Sequence, residues 1–115
     1  MTPSKSKYQA EYHQRRKYDL DKFRTWIRLS PEELQQVARV FAGKLNKAAG
    51  PVRVLVPQKG WSSVDRPGNP THDPKEDRLF VEELQKSLRP NIELMEVDAN
   101  MEDGAFAQVV VEIAL

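Results

Sequence analysis

The chain has 115 residues, 39% hydrophobic and 30% charged, with a formal net charge of +1, eight prolines, five glycines and no cysteine. Without cysteine there is no disulfide framework, thiolate nucleophile, zinc ribbon or iron–sulfur site, and no apolar run approaches the ~20 residues that cross a bilayer. One domain is expected at this length, and the polar stretch Met1 to Lys7 lacks the apolar core of a secretory signal, so the expectation is a soluble, cytoplasmic protein with no membrane contact.

The charge is unevenly spread. Residues 1–22 hold six basic side chains (Lys5, Lys7, Arg15, Arg16, Lys17, Lys22) against Glu11, Asp19 and Asp21, leaving 12 of the 18 basic and 14 of the 17 acidic residues for the rest. This predicts a basic, flexible arm over 1–22 and a single α/β lobe over 23–115. Tyr8, Tyr12 and Tyr18 interleave with the arm's basic groups and His13, a pattern that can follow a phosphate backbone while rings stack on bases. The body is acidic and offers no basic face to extend such a footprint. A tail or strap over a neighbouring subunit is therefore preferred to nucleic-acid binding, which stays as an alternative.

From Phe23 to Leu29, apolar Phe23, Ile27 and Leu29 with Thr25 alternate with Arg24, Trp26 and Arg28, the period of a half-buried strand. Ser30-Pro31-Glu32-Glu33 is a capping-box helix start with proline at the first position. Leu34, Val37, Ala38, Phe41 and Leu45 then form the apolar stripe of a helix ending near Asn46, with Gly50-Pro51 as its stop. Val52 to Val56 is short and β-branched, the predicted central strand of a parallel sheet. After an irregular stretch from Pro57 to His72, Asp73-Pro74-Lys75-Glu76 opens a second helix with Leu79, Phe80, Leu84 and Leu88 inward. Ile92 to Val97 is a third strand, and a third helix follows with Phe106, Val109, Val110 and Ile113 inward.

Strands alternating with helices call for parallel pairing and right-handed crossovers. The predicted fold is α/β, a two- or three-layer Rossmann-like half with parallel strands in the order β-α-β-α-β-α. Three strands leave sheet edges open, and open edges invite pairing. The half is therefore expected to be incomplete without a partner, either a second copy or a chain supplying the rest.

Ligands of open parallel sheets bind beyond the C-terminal strand ends. Two segments end there, Pro57 to Gly68 and Asp98-Ala99-Asn100. A structureless connection of about 15 residues in a compact domain is usually a binding loop or disordered. Gly60 can let backbone approach a ligand, Ser62 and Ser63 offer hydroxyls, Lys59 and Arg66 offer charge, and Asp65 can take a ribose hydroxyl or a magnesium ion. The same residues equally suit an Ω-like loop that bonds its own backbone. Neither GxxxxGK[ST] nor GxGxxG occurs. His72 and Asp73 form a candidate acid/base pair, but Asp73 reads more economically as a helix N-cap with His72 exposed before it. Asp65, Asp73 and Asp98 can converge at the strand ends, yet capping and turns place carboxylates there too. No catalytic or metal-ligating set is assigned, and the reading leans away from an enzyme.

Gly50-Pro51-Val52 through Pro57, then Gly60-Trp61-Ser62-Ser63-Val64-Asp65-Arg66-Pro67-Gly68, then Asp73-Pro74 with Asp77 and Leu79-Phe80, resemble the C-terminal part of the Tm-one-like ATP-binding domain. That domain belongs to an uncharacterised protein family that includes the N-terminal region of the tomato mosaic virus resistance protein. Thr25-Trp26-Ile27-Arg28 with Ser30-Pro31-Glu32-Glu33, and Glu96-Val97-Asp98 with Phe106-Ala107, are similar to further segments of it, so the resemblance covers about residues 23 to 115. It implies two α/β lobes with a nucleotide held by both, of which this chain is the second. ATP, possibly with Mg2+, is the implied cofactor. The candidate contacts are Gly60, Ser62, Ser63, Asp65 and Gly68, completed by Thr25 and Arg28 at the end of the first strand. The alternative is a non-catalytic subunit that completes a two-lobed fold with a separately encoded partner.

Overall fold

The computed structural model describes residues 2, 3, 16–19 and 24–115. The remainder of the basic arm, on which the nucleic-acid alternative rests, and Phe23 lie outside the described residues. The elements are β1 (Thr2–Pro3), β2 (Lys17–Asp19), β3 (Arg24–Ile27), α1 (Pro31–Leu45), β4 (Arg53–Pro57), α2 (Pro74–Ser87), β5 (Glu93–Val97) and α3 (Gly104–Ala114). From β3 onward the order is β-α-β-α-β-α, and the chain is an α/β unit of the partial Rossmann-like kind.

One strand differs from expectation. Among the described residues only β4 and β5 pair in parallel, with Val54 opposite Leu94 and Val56 opposite Glu96. β3 belongs to a separate antiparallel sheet ordered β1-β3-β2, in register Thr2 with Thr25 and Tyr18 with Trp26. The arm segments occupy both edges of β3, leaving it no edge for the parallel pair. β4, predicted as central, therefore has one neighbour among the described residues.

Both helix starts form as their sequences dictate. The Ser30 hydroxyl accepts from Glu33 N–H at 3.3 Å and Glu33 accepts from Ser30 N–H at 3.0 Å, while Asp73 Oδ1 accepts from Glu76 N–H at 3.0 Å. These contacts satisfy donors that the first helical turn leaves unpaired.

The packing face of α1 is rotated from the predicted stripe. Leu34, Ala38 and Ala42 are buried, whereas Val37 and Phe41 are 41% and 51% exposed. The two alanines allow close approach to Leu84 of α2, and Val54, Phe80, Leu88 and Leu94 pack around this centre. Larger side chains are left at the rim, where Phe41 meets Phe80 edge-on at 6.2 Å. On α2 the buried positions are Asp77, Val81 and Leu84 rather than Leu79, Phe80, Leu84 and Leu88, of which all but Leu84 are half-buried. On α3 only Phe106 is buried, and Val110, predicted inward, is 39% exposed. No described helix is long and apolar enough to cross a membrane.

Candidate functional site

The loop beyond β4 is fastened to the chain leaving β5. Gln58 N–H donates to Val97 O at 2.8 Å, Lys59 N–H to Ala99 O at 3.0 Å, and Met101 N–H to Gly60 O at 2.9 Å. Asn100, with no solvent exposure, is the hub. Its Nδ2 donates to Ser62 O at 2.9 Å and approaches Lys59 O and Asp65 O at 3.3 Å each, while its Oδ1 accepts from Glu102 N–H at 3.0 Å. A buried amide is tolerated only when its groups are satisfied in this way.

Gly60 has φ +118°, and a Cβ there would lie 2.0 Å from Asp65 O. The close approach this glycine permits is to the chain's own backbone. The Ser62 hydroxyl accepts from Val64 N–H at 3.3 Å, and the buried Thr71 hydroxyl donates to Val64 O at 2.6 Å. Ser63 is exposed. Gly68, at φ +93°, has open space where a side chain would stand.

Asp65 is the loop's buried charge. It accepts from Trp61 N–H at 3.1 Å and meets His72 Nδ1 at 3.0 Å. His72, expected to be exposed, is thus drawn inward by Asp65, while Asp73 caps α2. Arg28, its side chain 9% exposed, binds Glu76 Oε2 at 2.9 Å, Asp77 Oδ1 at 2.6 Å and Thr71 O at 2.7 Å. Burial pushes Asp77 up to about 7, helped by Asp65 and opposed by Arg28. Burial also works to raise Asp65, but Asp77, the Trp61 amide, His72 and Arg28 together hold it below the ordinary carboxylate range.

Arg28, Ser62, Asp65 and Thr71 line one cavity of about 180 Å³ together with Trp26 and Trp61. The Trp26 indole Nε1 is buried and has no hydrogen-bond partner among the described residues. Thr25 lies apart, donating its hydroxyl to Asp19 Oδ1 at 2.8 Å, and Gly68 does not line the cavity. Asp98 does not join Asp65 and Asp73, because it faces solvent 3.6 Å from Lys59 Nζ. No group of three His, Cys, Asp or Glu side chains among the described residues can hold a metal ion.

Two residues of this network carried no role in the sequence reading. Asp77 had a legible signal, since a carboxylate at the i−4 position to Val81 and i−7 to Leu84 interrupts a buried stripe. Asn100 had none, because its partners are main-chain carbonyls 35 to 41 positions away.

Residues 1–115 match the model of the uncharacterised protein family (UPF0261) C-terminal domain. A UPF0261 protein of Brucella suis is 40% identical over 81 residues, covering 70% of this chain and 19% of that protein. One from Rhizobium meliloti is 35% identical over 91 residues, 76% of this chain and 22% of that protein. The ToMV resistance protein Tm-1(GCR237) of Solanum lycopersicum is 31% identical over 104 residues, 89% of this chain and 14% of that protein. The chain thus spans about a fifth of the length of the bacterial relatives. The match over its whole length and the segments shared with these relatives place the chain in the UPF0261 family, as a C-terminal domain of it.

Proposed function

We propose that the chain is the second lobe of a two-lobed α/β protein and contacts a nucleotide or similar anion through the 57–68 loop. The observation that carries this reading is the cavity that Trp26, Arg28, Ser62, Asp65 and Thr71 line beside the 57–68 loop. A volume of about 180 Å³ suits a phosphate-sized group, since whole small-molecule pockets usually run about 300–1,000 Å³. The remainder of a nucleotide then lies outside, towards exposed Ser63 and Lys59 and towards the other lobe. Gly60, Asp65 and Asn100 hold the loop's shape, and Gly68 leaves its backbone open. Magnesium is expected to arrive with the phosphates.

Calorimetric titration with ATP and magnesium is expected to give weak binding at millimolar ligand. No heat with ATP and none with inorganic phosphate would sink the reading for this chain.

A second reading is a non-catalytic subunit that completes the fold with a separately encoded first lobe. It is favoured by α3, whose Val110 and Val111 are 39% and 56% exposed and whose one charged residue is Glu112. A helix apolar on most sides belongs inside a larger body. Met95 on β5 is likewise 36% exposed. Affinity capture from native extract is expected to yield a protein resembling the missing lobe in a stable one-to-one complex. Recovery of the chain as a lone monomer would reject it.

A further inference from the structure

The outer side of α1 is more apolar than a helix facing solvent requires. Val37, Val40 and Phe41 are 41%, 55% and 51% exposed, and Leu29, just ahead of the helix, is 40% exposed. With Glu33 and Lys44 they border one open hollow of about 400 Å³. At about 100° per residue, Glu33, Val37, Val40 and Lys44 stand in a single row, spaced four, three and four positions apart. Leu34, Ala38 and Ala42, which the fold buries, lie on a different side of the helix. Scattered exposed apolar side chains are ordinary, but a contiguous set with charges at its ends marks an interface. This row is symmetric about its midpoint, between Ala38 and Arg39. A second α1 laid on it end for end sets Val40 against Val37, Lys44 against Glu33 and Phe41 against Gln36. Such a face is self-complementary, as a two-fold contact between identical chains demands. Glu33 Oε1 already accepts from Ser30 N–H at 3.0 Å, and a carboxylate has room for further donors. The capping box and a contact to Lys44 of another copy are therefore compatible. A parallel pair would instead set Glu33 on Glu33 and Lys44 on Lys44, which repel.

We propose that α1 is the contact between two copies of this chain, packed antiparallel about a two-fold axis through the middle of the helix. Val37 and Val40 form its centre, and a Glu33–Lys44 pair closes each end. The apolar centre supplies the affinity, because exposed ion pairs contribute little. The charges set the direction, because only the antiparallel arrangement brings opposite signs together. A face built on one helix is small, which places the contact at the weak end of specific association. It involves neither the 57–68 loop nor α3, so it stands or falls apart from both readings of function.

Sedimentation equilibrium of the full chain tests this. The weight-average mass is expected to rise from 13.2 kDa towards twice that value between about 10 µM and about 1 mM, a dissociation constant near ~100 µM. Val40→Glu puts a good helix former at an exposed position and so keeps the fold, and it is expected to raise that constant about tenfold or more. Because the chain has no cysteine, single substitutions map the register. Tagged Val37→Cys mixed with untagged Val40→Cys is expected to form the mixed disulfide in air faster than either variant links to itself. Lys44→Cys alone is expected to form none. Its two copies lie eleven positions apart along the antiparallel pair, about 16 Å, whereas a disulfide needs Cα atoms about 4–7 Å apart. A monomer at every concentration overturns the proposal and leaves this face to the first lobe. Undiminished association of Val40→Glu, or ready self-linking of Lys44→Cys, overturns it as well.

Discussion

Gly60→Ala is expected to destabilise the chain by at least about 3 kcal/mol, lowering the melting temperature by roughly 12 °C or more for a domain of this size. Two effects add. The backbone at φ +118° lies where a residue with a Cβ is strained by about 1–2 kcal/mol, and the new Cβ would stand 2.0 Å from the Asp65 carbonyl oxygen and 2.9 Å from Asn100 Nδ2. The first of these is main chain, so no side-chain rotation relieves it. Moving that carbonyl also disturbs the Asn100 contact to it and the placement of Asp65 itself. Gly68→Ala is the internal control. Its φ of +93° brings the strain, but nothing stands within 4 Å of the added carbon, so about 1 kcal/mol is expected. Thermal melts of the two variants side by side test the comparison, and equal losses would show that the close approach at Gly60 carries no weight.

Arg28→Met is expected to cost about 3–5 kcal/mol at pH 8, the usual result of deleting one partner of a buried ionic cluster. The methionine keeps much of the packing volume but abandons Asp77, Glu76 and the carbonyls of Thr71 and Asp73, all of which the guanidinium binds at 2.6 to 3.3 Å. The loss is expected to shrink at pH 5. Without the cation Asp77 titrates higher still, so a proton compensates the abandoned carboxylates in acid and cannot do so in base. Denaturant unfolding at the two pH values measures this, and a pH-independent loss would mean that Arg28 acts by packing alone.

Local chemistry was legible where it acts over a few residues. Ser30 with Glu33 and Asp73 with Glu76 announced two helices because a cap is a contact across three positions. The Val52 to Val56 run announced β4, displaced by one residue. The pairing of β3 was not legible, because alternation reports that one face is buried and carries no information on which neighbours supply hydrogen bonds. Two arm segments decided it, β2 just upstream of β3 and β1 at Thr2–Pro3. The face of α1 was misjudged for a related reason: Val37 and Phe41 are the more hydrophobic candidates, but Ala38 and Ala42 let the backbones of α1 and α2 come together, and that choice belongs to the helix pair.

The candidate site divides along the same line. Gly60, Ser62, Asp65 and Arg28 stood out as residue types suited to turns and polar contacts, and the motifs around them carried the family resemblance. Their partners came only with the fold. Arg28 crosses to α2, and Asn100 gathers three carbonyls from a loop more than thirty positions away. The chain alone therefore specified the family, the alternation of strands and helices, and the caps, all of which arise from short-range sterics and hydrogen bonds. Which carboxyl groups are buried, and which cation meets them, emerged only when β3, the loop and α2 were packed, because desolvation depends on what surrounds a charge in space.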